Sequence, residues 1–280
     1  MMKHNRNFLY HLYMAVFLAY LLIPLLVMGG AAFNASKLPT IYPWKGWTDQ
    51  WFVALWNDNR IWGAFRNTLL VAIAVAAIAV PIGTAAAILI NSISGRVRSV
   101  LYGLMVAPIL IPGVVIGIST LLFWNHLSIG SGLHLSVLGQ VSYIASFVML
   151  LVLARLQSFD AALEEAALDL GATHAQVMRR ILLPHLYPAI GAGAAISFFQ
   201  SIENFNITLF TRGGADTLTV YVFSKVRSGI TPTINALALL LILFTLGMAI
   251  WYEINRRRKE RTASALEAEG RRAEDAELVG

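Results

Sequence analysis

Stretches free of Asp, Glu, Lys and Arg run over residues 7–36, 67–95, 99–154, 181–202 and 228–252. A bilayer core about 30 Å thick is crossed by roughly 20 apolar residues of helix, so each stretch is long enough for a span. The run 99–154 is 56 residues, too long for one, and the polar, glycine-containing break from Asn125-His126 to Gly130-Ser131-Gly132 divides it. The pattern predicts six membrane helices at approximately 8–33, 67–92, 100–124, 135–154, 185–210 and 233–254. Continuous rather than alternating runs exclude the strands of a membrane β-barrel. The first run exceeds the roughly 7–15 apolar residues of a signal peptide and is expected to be a retained helix.

Composition agrees. Of the 280 residues, 58% are hydrophobic and only 13% charged, with a mean hydropathy of +0.67. Soluble domains carry about 25% charged residues, so the chain lacks the charge to cover a watery surface. A disordered chain and a nucleic-acid reader are excluded despite the pI of 9.7. With no cysteine there is no disulfide scaffold, thiolate metal site or Cys nucleophile. His126 and His134 lack further ligands and read as an ordinary loop, so no metal site is expected. No GxxxxGK[ST] loop occurs, so this chain is not expected to hydrolyse ATP.

Placing both termini in the cytoplasm puts 14 Lys/Arg inside and seven outside, as the positive-inside rule favours. Trp44, Trp47, Trp51, Trp56 and Trp62 crowd the first outer loop, where an interfacial helix over 47–62 is expected. Membrane anchoring accounts for these rings, with docking of an external partner as the alternative. Arg256-Arg257-Arg258-Lys259 reads as a stop-transfer cluster rather than a lipid-specific site. The reading is one membrane domain over 1–255 and a basic, then mixed-charge cytoplasmic tail over 256–280, either helical or disordered.

The loop at about 155–184 differs from the others. Ser158 or Asp160 is placed to cap a short helix with acids in its opening turns. Gly171 supplies a left-handed stop, and Thr173 caps a second helix expected to end before Pro184. Ala166, Ala167, Leu170, Val177 and Ile181 give this loop an apolar side. Either the helices fold back on their own bundle or a partner protein receives them in a groove.

Glu165-Ala166-Ala167, then Gly171, then Ile181-x-Leu183-Pro184 resembles the EAA loop of binding-protein-dependent ABC transporter permeases. The resemblance extends along most of the chain. Phe33-Asn34-Ala35-Ser36, Asn67-Thr68-Leu69, Ala107-Pro108 through Val115, and Pro232 to Ala238 are similar to spermidine/putrescine permeases of the shorter, second-subunit form. It implies an all-α type I ABC importer permease fold with six transmembrane helices in the bacterial inner membrane. It also implies a second homologous permease, two ATPase subunits, a periplasmic substrate-binding protein, and no cofactor in this chain beyond ATP on the ATPase. Glu165, Ala166, Ala167, Gly171, Ile181 and Pro184 would couple to the ATPase, with Glu165 facing a basic group there. The implied function is import of a small solute, a polyamine first. Opines, phosphonates, thiamine or ferric iron are alternatives in the same class, and an ion-driven secondary carrier is the rival from another.

Polyamine permeases tend to carry Ser-x-Asp-Asp where this chain has Ser201-Ile202-Glu203-Asn204. On a continuous fifth span, Ser197, Gln200, Ser201, Asn204 and Thr208 share an arc of roughly 100°, with Glu203 beyond its edge. An acid at mid-bilayer costs about 2.5–3.5 kcal/mol and faces protein or water. Gln200, Glu203 and Asn204 are thus candidates for a substrate path. The alternative is an interhelical hydrogen-bond seam, with Glu203 protonated or paired to Arg212 or Arg227. Pro108 and Pro112 are expected to be tolerated kinks.

Overall fold

The computed structural model describes residues 2–229 and 231–279, with side chains described from 9 to 258 except at 230. Its elements are α1 (Met2–Ala32), α2 (Gln50–Trp56), α3 (Asn59–Ser92), α4 (Gly95–Leu110), α5 (Gly113–His126), α6 (Leu133–Leu156), α7 (Ala161–Asp169) and α8 (His174–Val177). After a π turn at Met178–Leu182 come α9 (Leu183–Ile202), α10 (Asn206–Thr211), α11 (Leu218–Ser228) and α12 (Pro232–Val279). No strand occurs among the described residues, only an isolated bridge between Asn34 and Trp47. The chain divides into two compact units, 1–57 with 225–280, and 58–224.

In the first unit α1 packs on α12, and α12 on α2. The span Leu9–Ala32 keeps its large apolar side chains outward, with Ala31 and Ala32 buried at its end, a loss in water and an ordinary state in lipid. The loop after α1 is organised by one buried side chain. The Asn34 amide donates to Thr40 O at 2.8 Å and Pro43 O at 3.1 Å, and its Oδ1 accepts from Lys45 N at 2.9 Å. Trp51 Nε1 donates to the Asn34 carbonyl at 2.8 Å, so this tryptophan is held by a backbone contact as well as by any membrane surface. The interfacial helix expected at 47–62 is shorter, ending at Trp56, because α3 begins at Asn59 under an Asp58 cap. α12 continues as one helix through the basic cluster to Val279.

The second unit is built on α3, α6 and α9. Ile90, Val148, Met149, Val152 and Leu186 pack at one end of these helices, and Val71, Val75, Val141 and Ile144 at the other. Gly83 allows the closest approach: a Cβ there would lie 2.5 Å from Ala145 O and 2.9 Å from Met149 N. Such backbone contact is a route to helix association where lipid supplies no hydrophobic drive.

Two expected spans are corrected. The span 100–124 is broken into α4 and α5, which meet at 105° around Ile111 and Pro112. Pro112 disfavours helical geometry at the preceding residue, and Ile111 sits at φ −86°, ψ 130°. The fifth span runs from His174 to Ile202 rather than over 185–210. Asn204 ends it by turning its Oδ1 to Ile207 N at 3.1 Å, so its side chain opens the next helix instead of prolonging this one. The two breaks adjoin. A Cβ at Gly113 would lie 3.1 Å from Asn206 Cβ, and one at Gly117 would lie 3.0 Å from Ile207 Cα.

Candidate functional sites: a helical elbow and a polar seam

Residues 155–184 form an elbow whose turns are fixed locally. Asp160 accepts Ala162 N at 3.0 Å and starts α7. At the other end Gly171 adopts φ +84°, with Gly171 N donating to Leu168 O at 2.9 Å and Ala172 N to Ala167 O at 3.0 Å. These paired bonds satisfy helix-end carbonyls as a Schellman stop does. Thr173 and Gln176 then form a reciprocal capping box, at 3.3 Å and 2.8 Å, that opens α8.

The second helix does not stop before Pro184. Pro184 has no N–H to offer the carbonyl four residues back, and the π turn at Met178–Leu182 absorbs that fault as the helix continues into α9. Below the elbow, Arg155 Nε donates to His185 O at 3.2 Å, and Phe159 stands 5.2 Å from the His185 ring. The end of α6 and the start of α9 are thereby clasped.

The elbow presents part of its apolar side outward. Glu165, Ala166, Gly171 and Pro184 are exposed, Ala167 and Ile181 half-buried. Leu170, 89% exposed, and Leu163 are open, whereas Val177 is buried against the chain itself. The predicted stripe is therefore divided, with Val177 turned inward and Leu170 uncovered.

The polar arc of the fifth span separates into two sets. Ser197, Ser201 and Thr208 are buried, and each is satisfied within the protein. Ser197 Oγ donates to Gly193 O at 2.7 Å, Ser201 Oγ to Gln140 Oε1 at 2.6 Å, and Gln140 Nε2 to Thr208 Oγ1 at 2.9 Å. Ser136 and Thr211 hydroxyls meet at 2.9 Å in the same row. This is an interhelical seam, and Gln140, the side chain that joins it, was not among the sequence candidates.

Gln200 and Asn204 are half-buried and Glu203 is exposed at the C-cap of α9. Asn204 Nδ2 donates to the Tyr143 hydroxyl at 2.9 Å. Arg212 does not pair with Glu203; it binds Asp216 at 2.5 Å and the Ala215 carbonyl at 3.2 Å. Glu203 has no ion pair among the described residues, so the ion-pair form of the seam is corrected.

A second polar cluster lies at the same end of the unit. Asp58 caps α3 through Arg60 N at 2.9 Å and accepts the Tyr221 hydroxyl at 2.6 Å. Burial, then that hydrogen bond to a carboxylate, pushes the Tyr221 phenol well up from its ordinary value. Asn67 Nδ2 donates to Asp216 O at 2.9 Å, and Thr68 Oγ1 accepts Leu218 N at 2.8 Å. Partners 149 to 163 residues apart leave no local signal in the sequence.

Residues 79–261 match the profile of the binding-protein-dependent transport system inner membrane component family. The chain belongs to that family. It is 36% identical over 253 residues to the putrescine transport system permease protein PotI of Escherichia coli (strain K12), covering 86% of this chain and 89% of that one. It is 30% identical over 239 residues to the spermidine/putrescine transport system permease protein PotC of the same strain, covering 85% and 90%. Among solved structures, it matches a chain of a bacterial ABC transporter involved in import of the acidic polysaccharide alginate, with a TM-score of 0.71 at 19% identity. That match covers 91% of this chain and 97% of the other, and shows the shared fold. The protein is thus a multi-pass inner-membrane transport permease with the type I ABC importer fold, a permease component rather than an enzyme.

Proposed function

We propose that this permease imports polyamines, putrescine or spermidine, as one subunit of an ATP-driven complex. The observation that carries the reading is its 36% identity, along 86% of its length, to a putrescine transport permease. The chemistry of the second unit fits a cationic cargo. Glu203 holds an exposed carboxylate at a helix break, beside the half-buried amide of Asn204 and the phenol of Tyr143. A carboxylate there offsets part of the cost of taking an ammonium group out of water.

The complex would contain a second homologous permease, two ATPase subunits that bind ATP, and a periplasmic binding protein. Residues 1–255 act as the membrane domain, with 256–280 as a cytoplasmic tail. The elbow is its coupling element. Exposed Leu163 and Leu170, next to Glu165, form an amphipathic surface suited to a groove on the ATPase. Both termini and the elbow face the cytoplasm, so reporters after Lys259 should read cytoplasmic and those near Asp216 periplasmic.

The test is uptake in proteoliposomes holding the full complex, its binding protein and internal ATP, with radiolabelled putrescine, spermidine, thiamine and ferric iron. ATP-dependent uptake of the two polyamines alone is the expected outcome. Uptake of thiamine or iron with none of either polyamine overturns the assignment.

A further inference from the structure

Backbone that leaves the helical ladder inside a membrane protein has to be held by its neighbours. At the break between α9 and α10, Asn204 is held from three helices. Its amide donates to the Tyr143 hydroxyl of α6 at 2.9 Å, and its Oδ1 accepts Ile207 N of α10 at 3.1 Å. Its carbonyl accepts the Thr219 hydroxyl of α11 at 3.3 Å. The next ring, Phe205, packs on Phe223 of α11 with centroids 4.7 Å apart. Thr219 and Phe223 are one helical turn apart and share a face of α11. That face meets the two residues that directly follow Glu203.

The other contacts of this segment run to the start of α3. Leu218 N donates to Thr68 Oγ1, the Tyr221 hydroxyl to Asp58, and Asn67 Nδ2 to Asp216 O, all at 2.6–2.9 Å. Residues 216–223 therefore form a strap from the start of α3 to the break, held unequally at its two ends. On the break it has one longer hydrogen bond and one ring pair, and Phe223 is 40% exposed. A ring this open adds little burial to the fold, so its contact acts on position more than on stability.

Glu203 is the residue with most to gain from that position. Its N–H is bonded to Phe199 O at 3.2 Å, but among the described residues its carboxylate has no hydrogen bond or ion pair. The carboxylate goes where the break takes it. Resting on the reading that Glu203 meets a cationic cargo, we propose that Phe223, assisted by Thr219, is a positioning residue for transport. Through Asn204 and Phe205 the strap sets the Glu203 carboxylate beside the Tyr143 phenol, where a passing polyamine meets it.

The test is putrescine uptake per assembled complex, in proteoliposomes with internal ATP and saturating loaded binding protein. Phe223→Ala should lower uptake about threefold to tenfold, the contribution of one aromatic pair, with thermal midpoint and ATP hydrolysis close to wild type. Phe223→Tyr, which keeps the ring, should retain most of the uptake. Combined with Glu203→Gln, Phe223→Ala should add no further loss, because no charge remains to be placed.

Wild-type uptake by Phe223→Ala overturns the positioning role. So does an equal loss from Phe223→Ala with and without Glu203→Gln, or a loss that only follows a lower thermal midpoint, since the ring would then act on the fold alone. Unchanged uptake in Glu203→Gln by itself overturns the cargo reading of Glu203 and this proposal with it. A loss in Glu203→Gln with an additive loss from Phe223→Ala overturns this proposal and leaves that reading standing. If Phe223→Ala does not assemble, Phe223→Leu and Thr219→Val are put through the same comparison and decide it.

Discussion

Gln140 accepts a hydrogen bond from Ser201 at 2.6 Å, and its amide nitrogen donates to Thr208 at 2.9 Å. Ser201 lies in the last turn of α9 and Thr208 in α10, so a single glutamine on α6 holds the two helices that the break at 203–205 separates. All three residues are buried. Lipid offers no replacement partner, so the seam must be satisfied from within.

Replacing Gln140 with Leu keeps the approximate volume and strands two buried hydroxyls. The loss should be about 1–3 kcal/mol, the usual range for a buried polar group left without its partner. Thermal unfolding of the purified chain in detergent should show a lower midpoint than wild type, while Gln200→Leu, at a half-buried position outside the bonded row, should change it less. Equal midpoints for Gln140→Leu and wild type would show that the seam adds nothing to stability.

What the sequence made legible was what is local. Asp160, Gly171 and Thr173 each act on a backbone group within three residues, so their roles at the elbow could be read from capping chemistry alone. The six-span plan was legible for the same kind of reason, since charge-free runs of sufficient length need no knowledge of their neighbours. The two helix breaks were not. Pro112 lies in an uncharged run where a proline is ordinarily tolerated, and its break shows only in the dihedral angles of Ile111. Asn204 was placed on a continuous helical wheel, yet its side chain competes for the backbone of Ile207 and starts a new helix. Gln140, a single amide in an apolar span, carried no pattern that pointed to Ser201 61 residues away.

Coupling should depend on Gly171 in two separable ways. Its φ of +84° favours glycine, although asparagine tolerates that region better than other side chains. Among the described residues, no atom beyond its chain neighbours would lie within 4 Å of a Cβ there. Gly171→Asn should therefore retain much of the ATP-driven uptake, whereas Gly171→Trp should abolish it by blocking a groove on the ATPase. Glu165→Lys should do the same by charge reversal, with membrane insertion unchanged. Wild-type uptake by both Gly171→Trp and Glu165→Lys in the reconstituted complex would remove the elbow from coupling.

The Asp58–Tyr221 bond should give the second unit an alkaline limb of stability. Burial, and then the bond to Asp58, holds the phenol neutral above its ordinary range. A folded-state value raised above the unfolded one stabilises fully below about pH 10, the ordinary phenol value, and that contribution is lost as pH rises further. Tyr221→Phe removes both the bond and the titration. Its thermal midpoint should lie below wild type at neutral pH, with the difference closing at strongly alkaline pH. A difference that stays constant from about pH 8 to pH 12 would mean that folding does not shift the phenol from its ordinary value.

Glu203 gives the sharpest test of the cargo. It is exposed at the C-cap of α9 and, among the described residues, has no ion pair, so its charge is available to a passing solute. Asn204 is differently placed, because its Oδ1 caps α10 and its amide is bound to Tyr143. Glu203→Gln keeps the shape and removes the charge. For a polyamine, loss of one charge-assisted contact should lower uptake per assembled complex by about tenfold, with assembly and thermal midpoint near wild type. Asn204→Ala should lower the thermal midpoint and uptake together, because it removes a helix cap and leaves the break less defined. The comparison separates a residue that meets the cargo from one that shapes its surroundings. Unchanged putrescine uptake per assembled Glu203→Gln complex, in a system shown to carry putrescine, would take Glu203 out of the path.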